Sequence, residues 1–210
     1  NIYGNQTGSD SAVKMSGATT TVSGKNVTLY GKSSTGNGVL LAGATLQGAY
    51  LNATGLSNTG KTGFAWQGGN INTTGTTGTS TASVVKGVSG STTTADGYGA
   101  WMMFANGAAN ASSGTTLTLA GEATALAAGQ NIKERGILVQ SGYALSMSGD
   151  VTLDGSSKSS EGIAFDGIIN MGTVAGVTNK LTIKGTAAAS SNSSLNAVNL
   201  SGAINSNAST

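Results

Sequence analysis

Hydrophobic residues along this chain fall at alternate positions within short phrases closed by glycine. The first phrase reads Gly-φ-x-φ-x-Gly, where φ is apolar. Clean copies are Gly38-Val39-Leu40-Leu41-Ala42-Gly43, Gly63-Phe64-Ala65-Trp66-Gln67-Gly68 and Gly162-Ile163-Ala164-Phe165-Asp166-Gly167. Looser copies begin near Ser11, Gly99, Gly136 and Ala197. A second phrase often precedes it: Val27-Thr28-Leu29-Tyr30-Gly31, Leu117-Thr118-Leu119-Ala120-Gly121, Val151-Thr152-Leu153-Asp154-Gly155 and Leu181-Thr182-Ile183-Lys184-Gly185. A third apolar position, as at Leu46, Ile71 and Leu145, often follows the first phrase.

Period-two alternation is the pattern of a strand with one buried face, and the glycines punctuate strands with turns. First phrases recur about every 25 residues, stretching to the mid-thirties where extra residues intervene. About three short strands per 20–25 residues make one turn of a β-solenoid, whose stacked turns bury one inward apolar row. The expected fold is therefore all-β: a right-handed parallel β-helix, with residues 1–210 forming one solenoid segment. A helical bundle would need the 3.6-residue period, which is absent. A β-sandwich would show longer strands and a larger aromatic core. Insertions are expected near 73–98, 106–115 and 122–135, where the chain exceeds the basic unit. Loops of this kind map to one face of a solenoid and are where function tends to sit.

Composition narrows the chemistry. Only 9% of residues are charged and the net charge is +2, so neutral hydroxyls and amides must provide hydration. The chain has no Pro, so every backbone N–H after the first residue can enter a ladder. It has no Cys, hence no disulfide framework, a feature compatible with threading through an envelope pore. It has no His, the commonest general base and metal ligand. The scattered basic residues form no nucleic-acid patch, and no apolar run reaches transmembrane length. No charged n-region and apolar h-region open the chain, which begins and ends within the repeat, so it is read as a segment of something longer.

The phrases Asn26-Val27-Thr28-Leu29, Gly38-Val39-Leu40-Leu41-Ala42-Gly43-Ala44-Thr45-Leu46 and Asn52-Ala53-Thr54-Gly55 resemble filamentous-haemagglutinin-type exoproteins. That group includes the large two-partner-secretion adhesins and the stalks of contact-dependent growth-inhibition proteins. The resemblance runs from about Ser11 to Ile204. It implies export through an outer-membrane transporter, a place at the bacterial cell surface or outside the cell, and attachment to a cell-surface receptor or glycan. Autotransporter passenger domains share this composition and stay open as an alternative. The long insertions depart from the plainest repeats of the family.

No catalytic residue, metal site or cofactor is assigned. Asp150, Asp154, Glu161 and Asp166 lie close in sequence, and a β-helix enzyme would need them to converge in one groove. The simpler reading places Asp154 and Asp166 at strand ends and turns. Thr73, Thr74, Thr76, Thr77 and Thr79 follow one another along a single segment, so they do not supply the fixed-position threonine array of an ice-binding face. Asn-x-Ser/Thr sequons begin at Asn5, Asn26, Asn52, Asn72, Asn110, Asn192 and Asn207. Two stretches are candidate contact sites. In Tyr98-Gly99-Ala100-Trp101-Met102-Met103-Phe104, alternation leaves at least one large apolar group outside the core, making Tyr98, Trp101, Met102 and Phe104 candidate ligand-binding residues. The second is the charged triplet Lys133, Glu134 and Arg135, suited to an anionic glycan or partner, although such a run is also the composition of a solvated loop.

Overall fold

In the computed structural model the chain passes through three stacks of strands in turn, then repeats the circuit. The structure describes residues 1–59, 61–75, 81–90, 98–102, 106–124, 134–172, 179–187 and 196–206. After β1 (Ile2–Gln6), the first circuit comprises β2 (Val13–Ser16) and the long β3 (Thr21–Ser33). The second comprises β4 (Val39–Ala42) and the long β5 (Thr45–Ser57). Later circuits use three separate strands: β6 (Phe64–Gln67), β7 (Gly69–Thr73) and β8 (Thr81–Ser89), then β9 (Tyr98–Met102), β10 (Gly107–Asn110) and β11 (Thr115–Ala123). Next come β12 (Arg135–Val139), β13 (Ala144–Ser148) and β14 (Asp150–Ser157), then β15 (Ile163–Phe165), β16 (Ile168–Met171) and β17 (Lys180–Ala187). The last described strands are β18 (Val198–Leu200) and β19 (Ala203–Ser206). No helix occurs among the described residues.

Every paired strand runs parallel to its neighbour; one isolated bridge, Ser16 to Gly43, is antiparallel. The first stack is the seven-stranded sheet β2-β4-β6-β9-β12-β15-β18. The other two stacks form one 12-stranded sheet. They are joined because β3 and β5 each cross both: residues 45–48 of β5 pair with β7, and residues 52–57 pair with β8. The second stack therefore runs through the early parts of β3 and β5 to β7, β10, β13, β16 and β19. The third runs from β1 through the late parts of β3 and β5 to β8, β11, β14 and β17. The protein is all-β and mainly parallel, an arrangement consistent with a β-solenoid.

The two sequence phrases occupy fixed places in it. The first phrase forms the first stack, and its φ positions make buried columns, such as Val39, Phe64, Ile137 and Ile163 in one and Leu41, Trp66, Val139 and Phe165 in the next. The second phrase forms the third stack, with Leu51, Leu117 and Val151 inward. Thr28, Thr118 and Thr152 lie on its opposite, partly exposed side. The third apolar position supplies the second stack, where Leu46, Ile71, Leu145 and Ile169 are all 1% exposed or less. Nearly all these side chains belong to one contiguous core.

Two features were not visible as phrases. Strand β8 lies within the 73–98 segment, because Ser83 holds the place that Leu51 and Leu117 hold in neighbouring turns. Its buried hydroxyl accepts a hydrogen bond from the Leu51 N–H at 3.0 Å, which offsets the cost of burying it. Strand β10 lies within 106–115, where Ala109 and Ala111 provide the buried positions.

Candidate functional site

In each turn the third stack hands the chain to the first at one corner. Two glycine columns meet there. Gly4, Gly31, Gly55, Gly87, Gly121, Gly155 and Gly185 are successive register partners down the third stack. A Cβ on Gly31, Gly55, Gly121 or Gly155 would lie 2.0–2.1 Å from the carbonyl oxygen of Gly38, Gly63, Gly136 or Gly162 respectively. Those second glycines open the first phrase. The phrase thus begins with glycine because two backbones touch at that point, which no side chain permits. Beyond the contact, inward serines tie the corner. Ser57 Oγ donates to the Gly36 carbonyl at 2.9 Å, Ser89 Oγ to Lys61 at 3.2 Å, and Ser157 Oγ to Glu134 at 2.5 Å.

The residue immediately before the first-stack glycine forms a column, Asn37, Thr62, Tyr98, Arg135 and Glu161, which Ser11 continues ahead of Ala12. Main-chain bonds hold successive members together, as from Gly38 N–H to the Thr62 carbonyl and from Gly136 N–H to the Glu161 carbonyl. Thr62 N–H also donates to Asn37 Oδ1 at 3.3 Å. Tyr98 and Arg135 are direct register partners of β9 and β12. The two candidate stretches, far apart in sequence, therefore meet where Tyr98 of β9 pairs with Arg135 of β12.

Five of the seven candidate residues, Tyr98, Trp101, Met102, Glu134 and Arg135, are among the described residues. Trp101 pairs with Ala65 on one side and Leu138 on the other, and Met102 pairs with Trp66 and Val139. Leu138 and Ala164 form a second buried cluster apart from the main core, so a further apolar layer exists on this side of the first stack. Phe104 and Lys133 lie outside the described residues. Glu134 is fully buried. Arg135 Nε donates to Glu161 Oε2 at 3.2 Å, with the two side chains 20% and 10% exposed. Ser160 Oγ donates to the same carboxylate oxygen. Burial alone raises the Glu161 pKa, but the Ser160 hydroxyl, its own backbone N–H and the Arg135 charge together hold it below the ordinary 4.5.

The four clustered acids take different places. Asp150 and Asp154 stand on β14 opposite Lys180 and Lys184 of β17. Asp154 is exposed in mid-strand, where a turn position was expected. Glu161 belongs to the corner, and Asp166 follows β15, accepting Ser201 Oγ at 2.5 Å. Among the described residues no group of three His, Cys, Asp or Glu is placed to hold a metal ion. Sequence reading missed Glu161 as the partner of Arg135. The signal was its place just before Gly162, the same place that Arg135 holds before Gly136.

Among the described residues no helix is long and apolar enough to cross a membrane. No family model, no curated protein and no solved structure matches this chain.

Proposed function

We propose that this chain is a rod segment of an extracellular adhesin of the filamentous-haemagglutinin type, folded as a right-handed parallel β-helix. The observation that carries the reading is the register. The same three strand positions recur from β2 to β19, so the chain extends by adding like turns. A rigid rod with corner insertions suits attachment at a distance from the secreting cell. Export through an outer-membrane transporter fits a chain without cysteine. The contact region is carried by Tyr98, Trp101, Met102 and Arg135 of the neighbouring strands β9 and β12, with Phe104 and Lys133 from the flanking segments; Glu134 is fully buried and presents no surface to a partner, and the partner is a cell-surface receptor or glycan. Of these, Arg135 supplies charge and the aromatic residues supply contact area.

Removing residues 98–104 is a poor test, because β9 is a rung of the first stack paired on both sides. The informative variant replaces 125–133 with a short Ser/Gly linker, combined with Tyr98→Ala and Arg135→Ala. Binding to cells and to immobilised glycans should fall about tenfold or more, while the β-rich circular dichroism spectrum is retained. Unchanged binding in the folded variant, or no binding by the parent, would refute the assignment.

A further inference from the structure

Charge is divided unequally between the outer surfaces of the two joined stacks. The third carries Lys32, Lys86, Glu122, Asp150, Asp154, Lys180 and Lys184, including a 2.8 Å ion pair between Lys86 and Glu122. The second carries none within its strand segments, which read TVSG, TLQG, GNINT, GAAN, ALSMS, IINM and AINS; the exposed Lys25 follows the first of them in β3, at the junction of the two stacks. Its outward columns are Thr45, Asn70, Ala108, Ser146, Asn170 and Asn205, beside Gln47, Asn72 and Asn110, with Ser148 buried at the end of the second column. These side chains are bonded from turn to turn. Asn110 Nδ2 donates to Asn72 Oδ1 at 2.8 Å, Ser148 Oγ to Asn110 Oδ1 at 2.7 Å, and Asn205 Nδ2 to Asn170 Oδ1 at 2.9 Å. Ile168 also lies on this surface at 40% exposure. The other exposed large apolar residues among those described, Ile2, Tyr3, Leu200 and Ile204, all lie on the first or last strands of their stacks.

We infer that the outer surface of the second stack is a self-association surface, and that its occupant is the same surface of a second copy of this chain. A primary amide has two N–H donors and a carbonyl with two lone pairs. The ladder uses one donor and one acceptor of Asn110 and holds the group oriented, leaving the others for a partner. An amide and hydroxyl surface is therefore complementary to itself, as a two-fold interface requires. Two such surfaces meet with no like charges opposed. The third stack cannot do this without matching each Lys to a carboxylate. Ile168 adds apolar area to a surface that is otherwise polar. Seven strands about 4.8 Å apart, each four or five residues at about 3.3 Å, give roughly 400–500 Å² per copy. That is at the low end for a specific interface, so association of one segment is weak and reversible. Along a longer rod the same contact would be multiplied. This inference is independent of the β9–β12 contact region.

Sedimentation equilibrium of the purified chain over a wide concentration range tests it. Reversible dimerisation is expected. The paired variant Asn72→Lys/Asn110→Lys should weaken it about tenfold or more, with its thermal melt retained. Mixing that variant with Asn72→Glu/Asn110→Glu should restore association. Thr152→Lys, on the third stack, should leave it unchanged. A monomer at every concentration, or dimers that tolerate the lysines, would overturn the proposal. So would failure of the Lys/Glu mixture to associate when both variants are folded. Retained association with loss of cell binding, or the reverse, separates this surface from the proposed receptor contact.

Discussion

At the scale of single residues, the glycines divide into two kinds with different sensitivities. Gly121 stands where a Cβ would meet the Gly136 carbonyl oxygen at 2.0 Å. Gly142 has φ of +87° and nothing within 4 Å of its would-be Cβ. Alanine at Gly142 meets only left-handed backbone strain, about 1–2 kcal/mol. Alanine at Gly121 must push two backbones apart, costing about 3 kcal/mol or more. Urea denaturation of the two variants checks the order, and equal losses would deny that the corner is a close backbone contact. Glu161 is one residue through which pH acts on stability. Its folded pKa lies below its ordinary value, so its stabilising contribution is fully present above about pH 5. That contribution is lost as pH falls through the depressed folded value. Glu161→Gln should destabilise by about 1.5–3 kcal/mol at pH 7, and the gap to the parent should close at acid pH. A gap independent of pH would show that the Arg135 pair is not the source.

At the scale of strands, legibility followed from which columns keep their apolar residue. The first-stack strands β4, β6 and β15 were evident because both φ positions are large and glycines flank them. The third-stack strand β8 was hidden by Ser83, and the corresponding part of β5 by Ala53, which fills the column of Leu29 and Leu119. A polar or small residue breaks a linear pattern but not a stack, because neighbouring turns supply the apolar contact. The same logic hid the threonine column. Thr118, Thr152 and Thr182 are register partners a full turn apart, whereas Thr73, which opens the conspicuous run, is the last residue of the single strand β7. The adjacency of Tyr98 and Arg135 was hidden for a related reason: parallel pairing joins residues a full turn apart, and turn length varies. Core columns also predict graded effects. Leu153→Ala removes a side chain 1% exposed between Leu119 and Ile183 and should cost about 2–5 kcal/mol. Leu200→Ala, at 48% exposure in the last turn, should cost well under half of that.

At the scale of this 210-residue segment taken by itself, stacking makes stability a sum of nearest-neighbour terms, so the two extremes of the described stack need not be equally firm. At the start, Val13 and Met15 of β2 are 6% and 5% exposed, and β1 covers the adjoining part of β3. At the other extreme, Leu200 is the register partner of the fully buried Phe165 but is 48% exposed. Ile204 is the partner of the fully buried Ile169 but is 44% exposed. Fully burying such a side chain contributes about 1.5–3 kcal/mol, so each half-covered one forgoes a substantial part of that. Local opening should therefore begin at β18 and β19, spread to β17, and reach β11 and β14 only on global unfolding. Amide hydrogen exchange measures this directly. Ladder N–H groups of β18 and β19 should exchange on the order of tenfold or more faster than those of β11 and β14. Alanine at Leu153 should lower protection in β11 and β17 before it affects β2 and β4. Uniform protection from β2 to β19 would mean that the chain unfolds as a single block, and the additive picture of its turns would have to be abandoned.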